Sequence, residues 1–276
     1  MADAQQPTPG PSYDALLDLA RTTALEAAEL VRRERRGGVE VAATKSSPID
    51  IVTDVDHAAE QLIYERLLGA RPDDGFLGEE GGSAESETGV TWVVDPIDGT
   101  VNFLYGIPQY AISIAARHRG RSVAGVVVNV QSGEVYAATL GGGATCDGHP
   151  LRVRERVVLS QRLVLTGFNY VAEVRALQAP AVAALVTRVR DIRRLGSAAL
   201  DLCAVAAGRA DAFVEEGLND WDMAAGALIA SEAGARVVTG TGAGGTMLVL
   251  CAPEDGFDEI AGLVRECGFL AADPPE

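Results

Sequence analysis

Cysteine is scarce and carries no pattern. Cys146, Cys203, Cys251 and Cys267 are widely scattered and no CxxC pair occurs, which argues against a zinc ribbon or a disulfide framework and for four reduced thiols. Histidine is scarcer still: His57, His118 and His149 lack metal-binding spacing, and the last two, in Arg-His-Arg and Gly-His-Pro, read as surface turns. No apolar run reaches the ~18–20 residues that cross a bilayer. Residues 1–12 contain no Lys or Arg and are rich in Pro, Gln and Ala. Without the basic region and apolar core of a signal peptide they read as a disordered tail, and cytoplasm is the expected compartment. Positive charge is also short, with 23 Lys and Arg against 39 Asp and Glu, a formal net charge of −16. So acidic a surface repels nucleic acid and anionic lipid, and neither is an expected partner.

What is present suffices for a large core: 276 residues, 47% of them hydrophobic, enough for one large domain or two smaller ones. Ser12 is placed to cap a helix carrying Tyr13, Leu16, Leu17, Ala20, Ala24, Ala27, Ala28 and Val31 at helical spacing, stopped by Gly37-Gly38. The stretch from Lys45 to Asp56 reads as loop. A second helix is expected from Asp56 to Leu68, with Ala59, Leu62, Ile63 and Leu67 inward, followed by a polar, Gly-rich stretch from Gly78 to Gly89. Thr91-Trp92-Val93-Val94 reads as a buried strand, and further strands are expected at 110–117, 123–130 and 134–140, the last two joined at Ser132-Gly133. Gly141-Gly142-Gly143 is the expected end of this strand-rich half. Strand and helix then alternate: strands at 162–167, 190–194, 211–215, 235–239 and 246–251, helices at 172–187, 197–207, 222–233 and 255–267. That alternation predicts an α/β second half. The expected organisation is a tail at 1–12, an α+β half at 13–150 and an α/β half at 151–276, sharing one interior as one catalytic unit.

Four acidic clusters stand out: Asp50-Ile-Val-Thr-Asp54-Val-Asp56, Gly78-Glu79-Glu80, Asp95-Pro96-Ile97-Asp98-Gly99-Thr100, and Trp221-Asp222 at a helix start. Asp95 ends an apolar strand, so the sheet aims its carboxylate at a loop mouth. Pro96 removes a donor and works against further regular pairing, and Asp98-Gly99 turns a second carboxylate back beside the first. Two carboxylates ~4 Å apart at an effective dielectric of ~20 repel by on the order of 4 kcal/mol. A cation removes that conflict, and hard oxygen ligands select magnesium or manganese over zinc. Amides around Gly99-Thr100 suit phosphate oxygens. Each cluster alone has an ordinary explanation: a turn for Asp95 to Gly99, a helix cap for Asp222 or Asp54, solvated charge for Glu79 and Glu80.

Together the motifs resemble the inositol monophosphatase family, in which Gly-Glu-Glu, Asp-Pro-Ile-Asp-Gly-Thr and a Trp-Asp helix start occur in this order. Lys45-Ser-Ser-Pro-Ile-Asp50-Ile-Val-Thr-Asp54-Val-Asp56 resembles the family's N-terminal motif, and the likeness covers nearly the whole chain. The resemblance implies a layered αβαβα sandwich of the sugar-phosphatase type, and two or three Mg²⁺ per site. Glu79, Asp95 and the Ile97 carbonyl would hold one ion, and Asp95, Asp98 and Asp222 a second. Asp56 would pair with Thr100 to orient the attacking water, with Lys45, Asp50 and Glu80 in support. Gly99 and Thr100 amides would hold phosphate. Asp98, Gly196, Ser197, Ala198 and Glu215 would meet the substrate, Glu215 rather than Glu216 following the family's ligand for substrate hydroxyls. Thr166-Gly167-Phe168-Asn169-Tyr170 matches a sugar pocket that varies among relatives. The implied reaction is magnesium-dependent hydrolysis of a small phosphorylated polyol, myo-inositol monophosphate first, by metal-activated water. Fructose-1,6-bisphosphate, histidinol phosphate and nucleotide 3′-phosphates are rival substrates. Lithium sensitivity and a homodimer are also implied, and a non-enzymatic interaction module is the contrasting reading.

No Cys-x5-Arg loop or poised histidine offers a protein nucleophile. Gly240-Thr-Gly242-Ala-Gly244-Gly245 has the GxGxxG spacing of dinucleotide folds, but a strand, Met247-Leu-Val-Leu-Cys251, follows where a phosphate-binding helix is required. A glycine hairpin is the expected structure there.

Overall fold

The computed structural model describes residues 10–36, 43–44 and 51–271. Lys45 and Asp50, the Gly37-Gly38 stop and residues 1–9 of the tail lie outside the described residues. Helix α1 (Tyr13–Arg36) is followed by β1 (Ala43–Thr44), β2 (Ile51–Val52), α2 (Asp54–Ala70), β3 (Gly75–Gly78), β4 (Ser83–Ala84), β5 (Val90–Asp98) and α3 (Thr100–Tyr105). Strands β6 (Ala111–His118), β7 (Arg121–Asn129), β8 (Val135–Thr139), β9 (Gly143–Cys146) and β10 (His149–Pro150) complete the first half. The second half runs β11 (Leu163–Thr166), α4 (Ala172–Val186), β12 (Asp191–Arg193), α5 (Ala198–Ala206), β13 (Ala212–Glu216), α6 (Asp220–Glu232), β14 (Ala235–Thr241), β15 (Met247–Pro253) and α7 (Phe257–Glu266).

An eight-stranded sheet, β10-β9-β8-β7-β6-β5-β3-β4, and a five-stranded sheet, β12-β11-β13-β15-β14, are the two β layers. Their strands sort residues by the period of two. In β5, Val90, Trp92 and Val94 join the outer core with Leu16, Ala20, Ala24 and Ala27 of α1 and Ile63 of α2. Val93 points the other way, into a middle core with Leu200, Leu202 and Cys203 of α5, Ala224 and Leu228 of α6, and Leu165 and Phe213 of the second sheet. Val164, Val214 and Leu250 face outward onto Leu185 of α4 and Ile260, Leu263 and Val264 of α7. Five layers, αβαβα, result, and the middle core is continuous across both halves. A strand buried on both faces has to be apolar nearly throughout, which explains Val90 to Val94.

Several local expectations change, beginning with the stretch read as loop up to Asp56, which includes strand β2 and the first turn of α2. Gly75–Gly78 is a strand, paired parallel to β5; two glycines in four residues hid it, because glycine is depleted in strands. The first sheet does not stop at Gly141-Gly142-Gly143 but adds β9 and β10. Strand β5 continues through Pro96 to Asp98, its register with β6 breaking between Asp95 and Asp98; the missing donor of Pro96 is absorbed by that irregularity. His118 ends β6 and His149 opens β10, so both adjoin turns without lying in them. The predicted hairpin is present, β14 pairing antiparallel with β15 across Gly242–Gly245.

Helix α6 lies close against β7. A Cβ at Gly125 would sit 3.1 Å from Ala225 Cα and 3.2 Å from its carbonyl oxygen, and neither backbone atom can rotate away. Gly125→Val is expected to destabilise by about 2 kcal/mol through overpacking, read as a lower thermal midpoint with and without added metal.

Candidate active site

The alternation that sends Val93 into the middle layer sends Asp95 there too. Asp95 is 1% exposed, and its Oδ1 accepts the Ile97 N–H at 3.0 Å. Ser113, its partner across the ladder, donates from Oγ to the Trp221 carbonyl at 3.4 Å, which seats the start of α6 beside Asp95. That start is not capped by Asp222, as the sequence suggested. Asn219 is the cap residue, and Asp222, three residues on, accepts the Asn219 N–H at 2.5 Å in a reciprocal capping box. Asp56 repeats the device at the start of α2. It accepts the Thr53 N–H at 2.9 Å and the Thr53 hydroxyl, leaving its other oxygen, Oδ1, to accept from Thr100 Oγ1 at 3.2 Å. The Ile97 carbonyl lies 3.1 Å from the same hydroxyl, so one O–H is shared between two acceptors.

Asp98 ends β5 against the N-terminus of α5. It accepts from Ser197 Oγ at 2.5 Å, Ala199 N at 2.8 Å and Ala198 N at 3.3 Å. Glu79 follows β3 and hydrogen-bonds Asp95. The turn that carries it is held by Glu60, buried on α2, which accepts from Glu80 N at 2.8 Å and Gly82 N at 2.9 Å. Glu60 was not singled out from sequence, since a helix glutamate reads as solvated charge. The Glu80 carboxylate turns toward His57 Nδ1, 3.9 Å away.

Oxygens of Asp95, Asp98 and Asp222 lie within 4.8 Å of one another. The electrostatics record the strain of that gathering. Burial, then Glu79, Asp98 and Asp222, raises the Asp95 pKa well above the usual carboxylate range. Burial and the Glu79 charge do the same to Asp222. Burial lifts Asp98 to about 6 against the pull of its Ser197 and Ala199 hydrogen bonds. Asp56 also reaches about 6, by burial opposed by Thr53. Beside these acids opens a cavity of about 270 Å³. The ends of β3 and β5 and the starts of α3 and α6 bring Glu79, Asp95, Ile97, Asp98, Gly99, Thr100 and Asp222 to one wall, and the second-sheet strands, the segments after them and the start of α5 bring Phe168, Tyr170, Arg194, Gly196, Ala198, Glu215 and Glu216 to another.

The structure thus gathers Glu79, Asp95, Ile97, Asp98, Gly99, Thr100, Asp222, Gly196, Ala198 and Glu215 around one space, with Asp56 behind Thr100. Ser197 is 1% exposed and does not line it; its hydroxyl serves Asp98 and the first turn of α5. Glu215 and Glu216 both line the cavity, and strand parity turns them to opposite faces of β13. Glu215 continues the Phe213 face and lies over Gly167, where any Cβ would strike its carboxylate. Glu216 sits on the opposite face, accepting from Gly244 N at 2.7 Å, Thr246 N at 3.2 Å and Thr246 Oγ1 at 3.1 Å. Burial raises Glu215 to about 7, with Arg194 opposing. Asp201, on α5 and fully buried, has both carboxylate oxygens without a hydrogen-bond partner and feels Glu215 and Asp98. Nothing in its local sequence signalled this.

The family model described as the inositol monophosphatase family matches residues 12–267. This chain belongs to that family. Inositol-1-monophosphatase SuhB of Mycobacterium tuberculosis is 47% identical over 275 residues, covering 92% of this chain and 95% of the relative. A protein of Pseudomonas aeruginosa named Nus factor SuhB is 41% identical over 241 residues, 82% of this chain and 86% of the relative. The crystal structure of the extragenic suppressor protein suhB of Bartonella henselae superposes with a TM-score of 0.84 at 33% identity, covering 91% of this chain and 99% of that one. Family membership supports a phosphatase, and the carboxylate cluster is a set of oxygens able to hold a metal ion. Among the described residues no helix is long and apolar enough to cross a membrane.

Proposed function

We propose that the protein hydrolyses the phosphate monoester of a small polyol, with myo-inositol monophosphate as first substrate and Mg²⁺ as the ion. The observation that carries this is the charge of the cavity. Its walls present Glu79, Asp95, Asp98, Asp222, Glu215 and Glu216, and among the described residues Arg194 is the one cation that lines it. A dianionic phosphate is repelled by that set alone and attracted once divalent ions neutralise it. The residues fit such ions: the donors are all hard oxygens, and three of the carboxylates are close enough to share one. Glu79, Asp95 and the Ile97 carbonyl would hold one ion and Asp95, Asp98 and Asp222 another. Bound Mg²⁺ supplies positive charge for the phosphoryl oxygens and acidifies water at neutral pH.

The chain's own residues do the rest. The first amides of α3, at Thr100 and beyond, have no intrahelical acceptor and, with the Gly99 amide, are available to phosphate oxygens. Thr100 Oγ1 accepts a hydrogen bond from the attacking water while its own O–H donates to Asp56 Oδ1 or the Ile97 carbonyl. Asp56 fixes that orientation because Thr53 holds its second oxygen. Glu215 and the Ala198 segment face the leaving group, where a carboxylate accepts from polyol hydroxyls. Thr100→Ala is expected to lower kcat about 100-fold with KM within about threefold, the unfolding midpoint barely moving; unchanged kcat would remove the pair from the mechanism.

A phosphate-release screen over inositol, sugar, histidinol and nucleotide phosphates, with and without Mg²⁺, tests the substrate and the ion together. Inositol monophosphate should rank first, and loss of release in EDTA should be reversed by Mg²⁺. Fructose-1,6-bisphosphate or a nucleotide 3′-phosphate ranking first would replace the substrate and keep the reaction. No Mg²⁺-dependent release from any ester would leave only the interaction-module reading. Lithium inhibition and a homodimer belong to the same proposal, checked by titration and by sedimentation equilibrium.

A further inference from the structure

One buried amide joins the two walls of the cavity without touching a carboxylate. Asn102, on α3 and 5% exposed, donates from Nδ2 to the carbonyls of Gln109 at 2.7 Å, Leu195 at 2.7 Å and Gly196 at 3.3 Å. Carbonyl oxygens only accept, so the amide nitrogen must face all three and the orientation of the side chain is fixed. The chain has been cut to fit this junction. A Cβ at Gly99 would lie 2.9 Å from the Gln109 carbonyl and 3.0 Å from that of Gly196. A Cβ at Gly196 would lie 2.9 Å from Asn102 Nδ2. Gly99 and Gly196 both have positive φ, +98° and +89°, where glycine alone is unstrained.

We propose that Asn102 is a positioning residue that sets the phosphate-binding side of the cavity in register with the polyol-binding side. Rigid spacing matters because a displacement of about 1 Å costs on the order of 100-fold in rate for a substrate that must meet groups on both walls. A second hydrogen-bonded tie between these walls runs through Asp98 to Ser197, Ala198 and Ala199. Asp98 oxygens are also wanted by cations, so that tie weakens as the site fills. Among the described residues Asn102 Nδ2 bonds these three neutral carbonyls and no carboxylate. An ester whose leaving group makes no hydroxyl contacts uses the phosphate side alone, and its hydrolysis is indifferent to the register.

This inference rests on the hydrolase reading, and the test keeps the two apart. Wild type, Asn102→Ala and Asn102→Asp are assayed at saturating Mg²⁺ with inositol 1-phosphate and with p-nitrophenyl phosphate. In the alanine variant kcat/KM for inositol 1-phosphate is expected to fall at least 30-fold, mainly through KM, while that for p-nitrophenyl phosphate stays within threefold. Aspartate, which faces three carbonyls with an acceptor, should be worse than alanine on the polyol ester. Equal losses on both esters, or no loss on either, overturn the proposal and leave the hydrolase standing. Wild type inactive on both overturns both. Should the alanine variant be unfolded at the assay temperature, Asn102→Ser, which keeps one donor, carries the same ratio test.

Discussion

Asp95→Asn is expected to be folded, inactive and, without metal, more stable than the parent. Asparagine keeps the shape and the oxygen that accepts the Ile97 N–H and removes one charge from a cluster that also contains Glu79, Asp98 and Asp222. Several kcal/mol of transition-state stabilisation go with a shared ligand, so kcat should drop about 1,000-fold or more. Stability moves the other way. A buried carboxyl pushed far above its ordinary pKa costs folding energy whether it is ionised or protonated, and the amide avoids that cost. In EDTA the variant should melt several degrees above wild type. The parent should gain about 2.7 kcal/mol at an Mg²⁺ concentration 100 times the dissociation constant, and the variant little. Activity within tenfold of wild type, or an undiminished Mg²⁺-induced rise in melting temperature, would remove Asp95 from the centre of the site.

The metal-free protein should lose stability as pH rises from 4 to about 7, the reverse of the usual behaviour of paired carboxylates. Asp56 and Asp98 titrate near 6 and Glu215 near 7 in the folded chain, against about 4 when unfolded. A raised folded pKa contributes stability that is fully present below the unfolded value and is lost as pH climbs through the folded one. For Asp98 alone the shift corresponds to on the order of 3 kcal/mol. Surface repulsion in a chain of charge −16 eases in the same direction on acidification, so the decisive quantity is the difference made by Mg²⁺. That difference should be small at pH 5, where protons compete for the ligands, and large at pH 7.5. A larger Mg²⁺ effect at the acid end would contradict the ligand set.

The clusters were legible because each is a short run whose chemistry does not depend on the rest of the chain: two carboxylates, Asp95 and Asp98, near a strand's end, a left-handed turn at Gly99, an acid in the first turn of a helix at Asp222. The alternating second half was legible for the same reason, its helices and strands each having room to show a period. What escaped was set by distant partners. Glu60 looks like any exposed helix acid until the turn after Glu79 folds over it. The cap of α6 fell to Asn219 and not to Asp222 because the helix begins two residues earlier than its apolar pattern announces. Ser197 carries the family's motif, yet its hydroxyl belongs to Asp98. Parity puts Glu215 on the face of Phe213 and Glu216 on the other, but which face meets the middle core depends on the packing of the second sheet against α5 and α6.

Two of the acids that converge on the cavity are also the third residues of capping boxes, Asp56 on α2 and Asp222 on α6. Their positions are therefore fixed by folding before any ligand arrives. The converse follows for α6: an ion that draws the Asp222 carboxylate toward itself loosens its hold on the Asn219 amide. Hydrogen exchange at that single amide should then quicken as the site is loaded, a local meter of occupancy readable without turnover.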